Sequence, residues 1–267
     1  MNDKVRVIVT GATGRMGKEV VKGILNDPEL LLVGAIDLRF LEQDIGPLVG
    51  MNPAGVYVRE DLKKTILESK PDVMVDFTIA DAAVENAIIA LENGVYPVIG
   101  TTGMNEEQLE RIHLLCEQRG LAAVIAPNFA IGAVLMMRFA REAAKYFPQV
   151  EIIELHHDQK LDAPSGTALK TAEMLMEERQ VINPTEDNSY EKIKGVRGGD
   201  YKGIRIHSIR LPGLVAHQEV IFGGLGQTLS LRHDSINRES FIPGVLLAIK
   251  KVKRMKGVIY GLENLLE

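Results

Sequence analysis

The feature that most restricts the fold is an alternation. From Val5 to about Phe129, short apolar runs trade places with amphipathic segments of 12 to 15 residues, the written form of successive βαβ units around a parallel sheet. Residues 5–9 read as a strand, 16–26 as a helix stopped before Pro28, and 30–36 as the next strand. A strand over 72–77, a helix from about 81 to Gly94 and a strand over 96–100 continue the pattern. Asn105, with Gln108 three residues on, is a capping box for a helix whose Leu109, Ile112, Leu115 and Cys116 share one face and whose C′ residue is Gly120; 121–126 is then strand.

Beyond Phe129 the pattern changes. A helix over 131–147, a strand over 150–157 and a helix from 167 to about 180 precede a polar, glycine-bearing stretch, 183–203, expected to be a long loop. Strand candidates 204–210, 215–222 and 228–233 follow with no helix between them, which argues for an antiparallel or mixed sheet. From about Arg238 a basic amphipathic helix is expected to return to the first domain. The expected architecture is α/β: a Rossmann-like parallel-sheet domain of residues 1–127 with 238–267, and a smaller α+β domain of 128–237 with a mixed open sheet.

Composition narrows the function. A net charge of -5 provides no global basic field for nucleic acid. One cysteine, Cys116, permits no intrachain disulfide and no Cys-based zinc or iron–sulfur site, and no other metal-ligand set is read. Asp3, Lys4 and Arg6 interrupt the place of a signal's apolar region, and no stretch approaches the ~18 apolar residues of a membrane helix. A soluble, cytoplasmic protein with neither nucleic-acid nor membrane partner is the expectation.

Gly11, Ala12, Thr13, Gly14, Arg15, Met16 and Gly17 follow a strand and open a helix with the spacing G-x-x-G-x-x-G. Small residues let the backbone turn sharply beside a pyrophosphate, whose charge the helix N-terminus favours. Asp37 stands twenty residues after Gly17, at the end of the second strand, where a carboxylate accepts ribose hydroxyls. A P-loop does not fit, because Ala12 and Glu19 stand where Gly and Ser or Thr are required. Two readings of the turn stand, a dinucleotide site and a tight βα turn without ligand. The cofactor is NADH or NADPH on the first: Asp37 repels a 2′-phosphate, whereas Arg39 attracts it. The loops Gly100, Thr101, Thr102, Gly103 and Ala126, Pro127, Asn128, Phe129 also follow strands, and serve either the nicotinamide end or as plain turns.

The densest polar constellation runs from Glu154 through His156, His157, Lys160 and Asp162 to Ser165, Gly166 and Thr167. Adjacent histidines on an extended backbone point to opposite faces, so the two rings have separate tasks. A histidine titrates near neutrality and a lysine stays cationic, which suits proton donation and the holding of a carboxylate. Ser165, Gly166 and Thr167 open a helix, as an anion cradle or simply as its cap. No G-x-S-x-G surrounds Ser165, which disfavours a serine hydrolase.

The glycine turn, the Gly100–Gly103 loop, Ala126 to Phe129 and above all the run from His156 to Ala168 resemble the 4-hydroxy-tetrahydrodipicolinate (dihydrodipicolinate) reductase family of lysine and diaminopimelate biosynthesis; His217, Gln218, Glu219, Arg232 to Ser235 and Arg238 add to the likeness. The resemblance implies NAD(P)H-dependent reduction of a cyclic imine-type dicarboxylate to tetrahydrodipicolinate, with loss of water from the hydroxylated precursor. It makes His156 the acid/base residue, Lys160 the proton donor, and His157, Gly166 and Thr167 substrate contacts. Cofactor contacts would be Gly11, Ala12, Thr13, Gly14, Arg15, Met16, Asp37, Gly100, Thr101, Thr102, Ala126, Pro127, Asn128 and Phe129. Some relatives carry an arginine directly after the ribose-binding acid; Leu38 stands there in this chain. The resemblance also implies a homotetramer assembled through the second domain's sheet and a bi-lobed monomer that closes over its ligands. The rivals are another NAD(P)-dependent amino-acid dehydrogenase and a non-catalytic NAD(P)-sensing protein.

Overall fold

The computed structural model describes residues 4–178 and 190–266. They form two compact units, one built from the described residues up to Phe129 with those from Arg238 onward, the other from Ala130–Asn237.

The first unit follows the alternation: β1 (Val5–Thr10), α1 (Arg15–Asn26), β2 (Leu30–Ile36), α2 (Ile45–Leu48), β3 (Val58–Arg59), α3 (Leu62–Ser69), β4 (Val73–Asp76), α4 (Ala80–Glu92), β5 (Tyr96–Ile99), α5 (Glu106–Arg119) and β6 (Ala122–Ile125). Val7, Ile8, Val73, Met74, Val98 and Val124 have no exposed surface, as befits strands covered on both faces. Asn105 and Gln108 do form a reciprocal capping box, and Gly120 ends α5 in the left-handed conformation at φ 65.

The second unit contains α6 (Ile131–Ala144), β7 (Gln149–His156), α7 (Gly166–Glu178), β8 (Gly199–Tyr201), β9 (Ile204–Arg210), β10 (Ala216–Gly224) and β11 (Gln227–Ser235). Its sheet is mixed, in the order β11-β10-β7-β9-β8, with β9 parallel to β7 and the other pairs antiparallel. Val150, Ile152, Val220 and Phe222 point to its buried face, and the ring of Phe222 meets that of Phe147 at 5.8 Å.

The chain then returns to the first unit as α8 (Ile242–Lys251) and β12 (Gly257–Tyr260). Among the described residues the first sheet has seven strands, ordered β12-β6-β5-β4-β1-β2-β3, and every pair is parallel. Lys250 pairs with Asp27 at 2.8 Å and with Glu29, and Lys253 pairs with Asp72 at 2.6 Å, which fastens the returning segment to the loops beside β2 and β4.

Four expectations need correction. The stretch 183–203 is not all loop: β8 pairs with β9 there, because Asp200 and Tyr201 can join a ladder whose next strand is already positioned, and residues 183–189 lie outside the described residues. The segment from Arg238 is not one helix. It opens with a 3-10 turn, Arg238–Phe241, and after α8 it turns at Gly257, φ 69, into β12, where Val258 and Ile259 suit a strand. The helix expected to reach residue 147 ends at Ala144, whereas the expected end of the next helix near 180 lies outside the described residues. Phe77 falls one residue past the end of β4, although its amide still donates to the Thr10 carbonyl at 3.3 Å.

Packing at the return is close. A Cβ on Gly244 of α8 would lie 2.0 Å from the carbonyl oxygen of Phe129, and overpacking of this kind costs about 1–3 kcal/mol. Gly244→Ala is expected to lower the unfolding midpoint by several degrees in scanning calorimetry; an unchanged midpoint contradicts this packing.

Candidate functional site

Strand order locates the first candidate site. β1 lies between β2 and β4, so the chain leaves β1 toward one side of the sheet and later crosses to the other, and ligands of open α/β sheets bind outside the carboxyl ends of strands at such a point. A cavity of about 470 Å³ lies there, with Arg15 and Met16 on one side and Phe77, Thr78, Gly100, Thr101 and Thr102 on the other. Ala126 and Phe129 lie deeper. Both are buried, the amide of Ala126 donates to the Ile99 carbonyl at 3.0 Å, and the Phe129 ring packs against Phe77 at 6.0 Å.

The glycine turn is tight for reasons of its own. Gly11 has φ 70, and a Cβ on Gly17 would lie 2.0 Å from the Gly11 carbonyl oxygen. Gly14 begins α1 with no side-chain cap, so an anion at this helix start would meet backbone donors rather than a competing side chain. Asp37 stands beside the turn and accepts the Thr13 amide at 2.9 Å, the Leu38 amide at 2.8 Å and the Arg39 amide at 3.2 Å. Burial works against its charge, but the donors of Thr13, Arg39 and Leu38 outweigh it and hold the carboxyl below its ordinary value. The Arg39 Nε lies 3.6 Å from Asp37 Oδ1. A dinucleotide fits this set of groups: an uncapped helix start, an ionised acid with an exposed guanidinium beside it, and an open cavity against the start of α1.

Asp76 was not visible from sequence. Wholly buried at the end of β4, it accepts Thr10 Oγ1 at 2.6 Å, Asn86 Nδ2 at 2.8 Å, the Thr78 hydroxyl at 2.7 Å and amide at 2.9 Å, and Thr101 Oγ1 at 3.1 Å. One carboxylate thereby fixes the cavity-lining residues Thr78 and Thr101 against the end of β1.

The second cluster is in the other unit. His156 ends β7 with its ring toward the inner face, 15% exposed, and its Nδ1 lies 2.5 Å from Glu154 Oε2. His157 is exposed, and its carbonyl accepts the Lys160 amide at 3.2 Å in the following turn. The Lys160 Nζ reaches Asp162 at 2.7 Å and 2.9 Å. Ser165 is a cap: its hydroxyl accepts the Ala168 amide at 3.2 Å, while its own amide donates to Glu154 Oε1 at 3.2 Å. A Cβ on Gly166 would meet nothing within 4 Å, so the start of α7 has open space in front of it, where an anionic group would fit.

Arg210 is the member that sequence reasoning missed, and Glu154 was read there without a role. Glu154 has no exposed surface, and Arg210 grips both its oxygens, Nη1 to Oε2 at 2.9 Å and Nη2 to Oε1 at 2.8 Å. Arg210 Nη2 also donates to the Asp162 carbonyl at 2.8 Å. His156 and Lys160 are thereby joined through Glu154, Arg210 and Asp162. Burial raises the Glu154 pKa, but the hydrogen bonds of His156, Arg210 and Ser208 and the guanidinium charge bring it down to about 2.

Fold and clusters together define a Rossmann-like α/β chain with a histidine- and lysine-bearing polar cluster on a second, mixed-sheet unit. Comparison with known proteins agrees. Residues 5–129 match the family described as dihydrodipicolinate reductase, N-terminus, and residues 132–266 match dihydrodipicolinate reductase, C-terminus. The 4-hydroxy-tetrahydrodipicolinate reductase of Moorella thermoacetica is 60% identical over 98% of this chain and 98% of its own. That of Desulfitobacterium hafniense is 56% identical over 99% of each. A solved structure, a dipicolinate-bound dihydrodipicolinate reductase from Paenisporosarcina sp. TG-14, superposes with a TM-score of 0.88 at 49% identity, covering 98% of this chain and 99% of that one. The chain belongs to the dihydrodipicolinate reductase family.

The depressed Glu154 pKa has a consequence for acid stability. Its contribution is complete above the ordinary value of 4.5 and is lost as pH falls toward about 2, because the unfolded chain takes up the proton first. Between pH 5 and 2, stability measured by denaturant titration is expected to fall more steeply for the unaltered chain than for Glu154→Gln; parallel curves would refute the ionised assignment.

Proposed function

We propose that this chain reduces 4-hydroxy-tetrahydrodipicolinate, by way of dihydrodipicolinate, to tetrahydrodipicolinate in lysine and diaminopimelate biosynthesis, using NADH or NADPH. The observation that carries the reading is the match of both halves of the chain, 5–129 and 132–266, to the two parts of one reductase family. The dipicolinate held by the Paenisporosarcina protein supports a planar ring with two carboxylates as the ligand class.

A reduced nicotinamide supplies a hydride to an electrophilic ring carbon. Its dinucleotide would be held by residues Gly11 to Met16 at the start of α1, with Asp37 on the adenosine ribose and Gly100, Thr101 and Thr102 at the other end of the cavity. Residues Ala126 to Phe129 act mainly by backing this wall, since the Phe129 ring supports Phe77. On the other unit, Gly166 and Thr167 offer backbone donors to a substrate carboxylate, and His157 is a further contact. Lys160 brings a positive charge and a proton; Asp162 holds its Nζ until a substrate carboxylate competes for it. His156 exchanges the proton that the reduced ring requires. By the same reading the chain works in the cytoplasm, where the free, buried thiol of Cys116 fits. It assembles as a homotetramer through the face of the mixed sheet that carries Ile153, Leu155 and Ile221; sedimentation velocity is expected to give four chain masses.

Loss of reduced-nucleotide absorbance with freshly generated dihydrodipicolinate tests the activity directly, and no loss with either nucleotide rejects it. His156→Gln is expected to lower kcat about 10²–10⁴-fold, the usual share of general acid catalysis, with little change in nucleotide affinity. Lys160→Ala is expected to lower kcat and raise the substrate KM together. Arg39→Ala is expected to raise the KM for NADPH about three- to tenfold while sparing that for NADH, as loss of a charge-assisted contact to a 2′-phosphate requires.

A further inference from the structure

We infer that Glu154, clamped by Arg210, is a positioning residue that keeps the hydrogen of His156 on Nδ1 and so makes Nε2 the nitrogen that exchanges a proton with substrate. This rests on the acid/base reading of His156 given above.

The geometry leaves Glu154 little choice of role. Its side chain is wholly out of water, and both oxygens are engaged: Oε2 by His156 Nδ1 and Arg210 Nη1, Oε1 by Arg210 Nη2 and the Ser165 amide. A buried carboxylate gripped in this bidentate way stays ionised and can only accept. His156 Nδ1 must then be the donor at 2.5 Å, and the tautomer of a histidine follows from the hydrogen bond of its other nitrogen. The carboxyl pKa, down to about 2, agrees with an ionised acceptor throughout the working range.

Arg210 is placed for the task by the sheet. β9 runs parallel to β7 in a register that sets Arg210 beside His156 and Ser208 beside Glu154, so the guanidinium reaches across from the neighbouring strand. A lysine there would present one point of charge instead of a planar fork, and would release either a Glu154 oxygen or the Asp162 carbonyl. Since Asp162 in turn holds Lys160, one guanidinium sets the loop geometry on both sides of the anion site.

The test combines spectroscopy of the unaltered chain with a mutant cycle. With ¹⁵N-histidine label at a pH where the ring is neutral, His156 is expected to show a protonated Nδ1 and a bare Nε2, its signals assigned by their loss in His156→Gln. A hydrogen on Nε2 overturns the inference, and this measurement needs no variant of Glu154 to fold. Glu154→Gln is expected to lower kcat about 10- to 10³-fold with the KM for dihydrodipicolinate changed less than about threefold, as for a group that acts through another. Glu154→Asp is expected to recover part of the loss. The double variant with His156→Gln is expected to be no slower than His156→Gln alone, because residues that act as a unit are not additive. Multiplicative losses, or a Glu154→Gln enzyme at full kcat beside a slow His156→Gln, overturn the positioning role and leave the acid/base reading intact. Full turnover in His156→Gln defeats that reading whatever the tautomer.

Discussion

A carboxylate withdrawn from water persists as an ion only where hydrogen-bond donors replace its hydration. At both candidate sites a buried carboxyl group is met by several donors. Asp76 closes β4 and receives three hydroxyls and an amide side chain from four separate segments, and Glu154, two residues from the end of β7, receives a guanidinium, an imidazole and a backbone amide. Asp37, just past β2, takes the Thr13 amide from the glycine turn and the amides of Leu38 and Arg39. In each case the acid sits where a strand hands over to a loop. The loop that would carry ligand is thus fixed by electrostatics rather than by apolar contact, and the surface facing the ligand stays polar.

Topology decides which donors are within reach. Parallel strands present their carboxyl ends together, so the hydroxyls of Thr10 and Thr101 converge on Asp76 from the ends of neighbouring strands. Among the described residues of the second unit, the same effect is confined to one pair. β9 is the strand of that sheet that runs parallel to β7, and this alone brings Arg210 level with His156. An antiparallel partner at that position would set the start of its strand there.

Much of the scaffold could be read along the chain, since its signals are local. Residues 30–36 form β2 with the expected limits, and Asn105, Gln108 and Gly120 delimit α5 through contacts three to four residues apart. Features missed depend on distant partners. β8 is three residues with two exposed, and it becomes a strand by pairing with β9. β12 follows a lysine-rich turn and has four residues, too few for a period to declare itself, yet the β6 edge captures it. Among site residues, the His156 to Thr167 run was legible because adjacent polar groups stand out against an apolar strand. Glu154 was visible in that run but without a role, because the role depends on Arg210, 56 positions away. Asp76 accepts from Thr10 and Thr101, 66 and 25 positions distant, and no spacing rule connects them.

The large sheet is interrupted in sequence by the whole of the second unit. A ribosome therefore releases β1 to β6, then all of Ala130–Asn237, and only afterwards the segment that becomes α8 and β12. At elongation rates of about 5–20 residues per second, the nascent β6 waits roughly 7–27 seconds for β12 with one side of its backbone unpaired. Neighbouring nascent chains on one polysome present the same open edge at the same time, which exposes this stage of synthesis to strand exchange between copies. The inserted unit has no such interval, because every strand of its sheet is made in a single uninterrupted run.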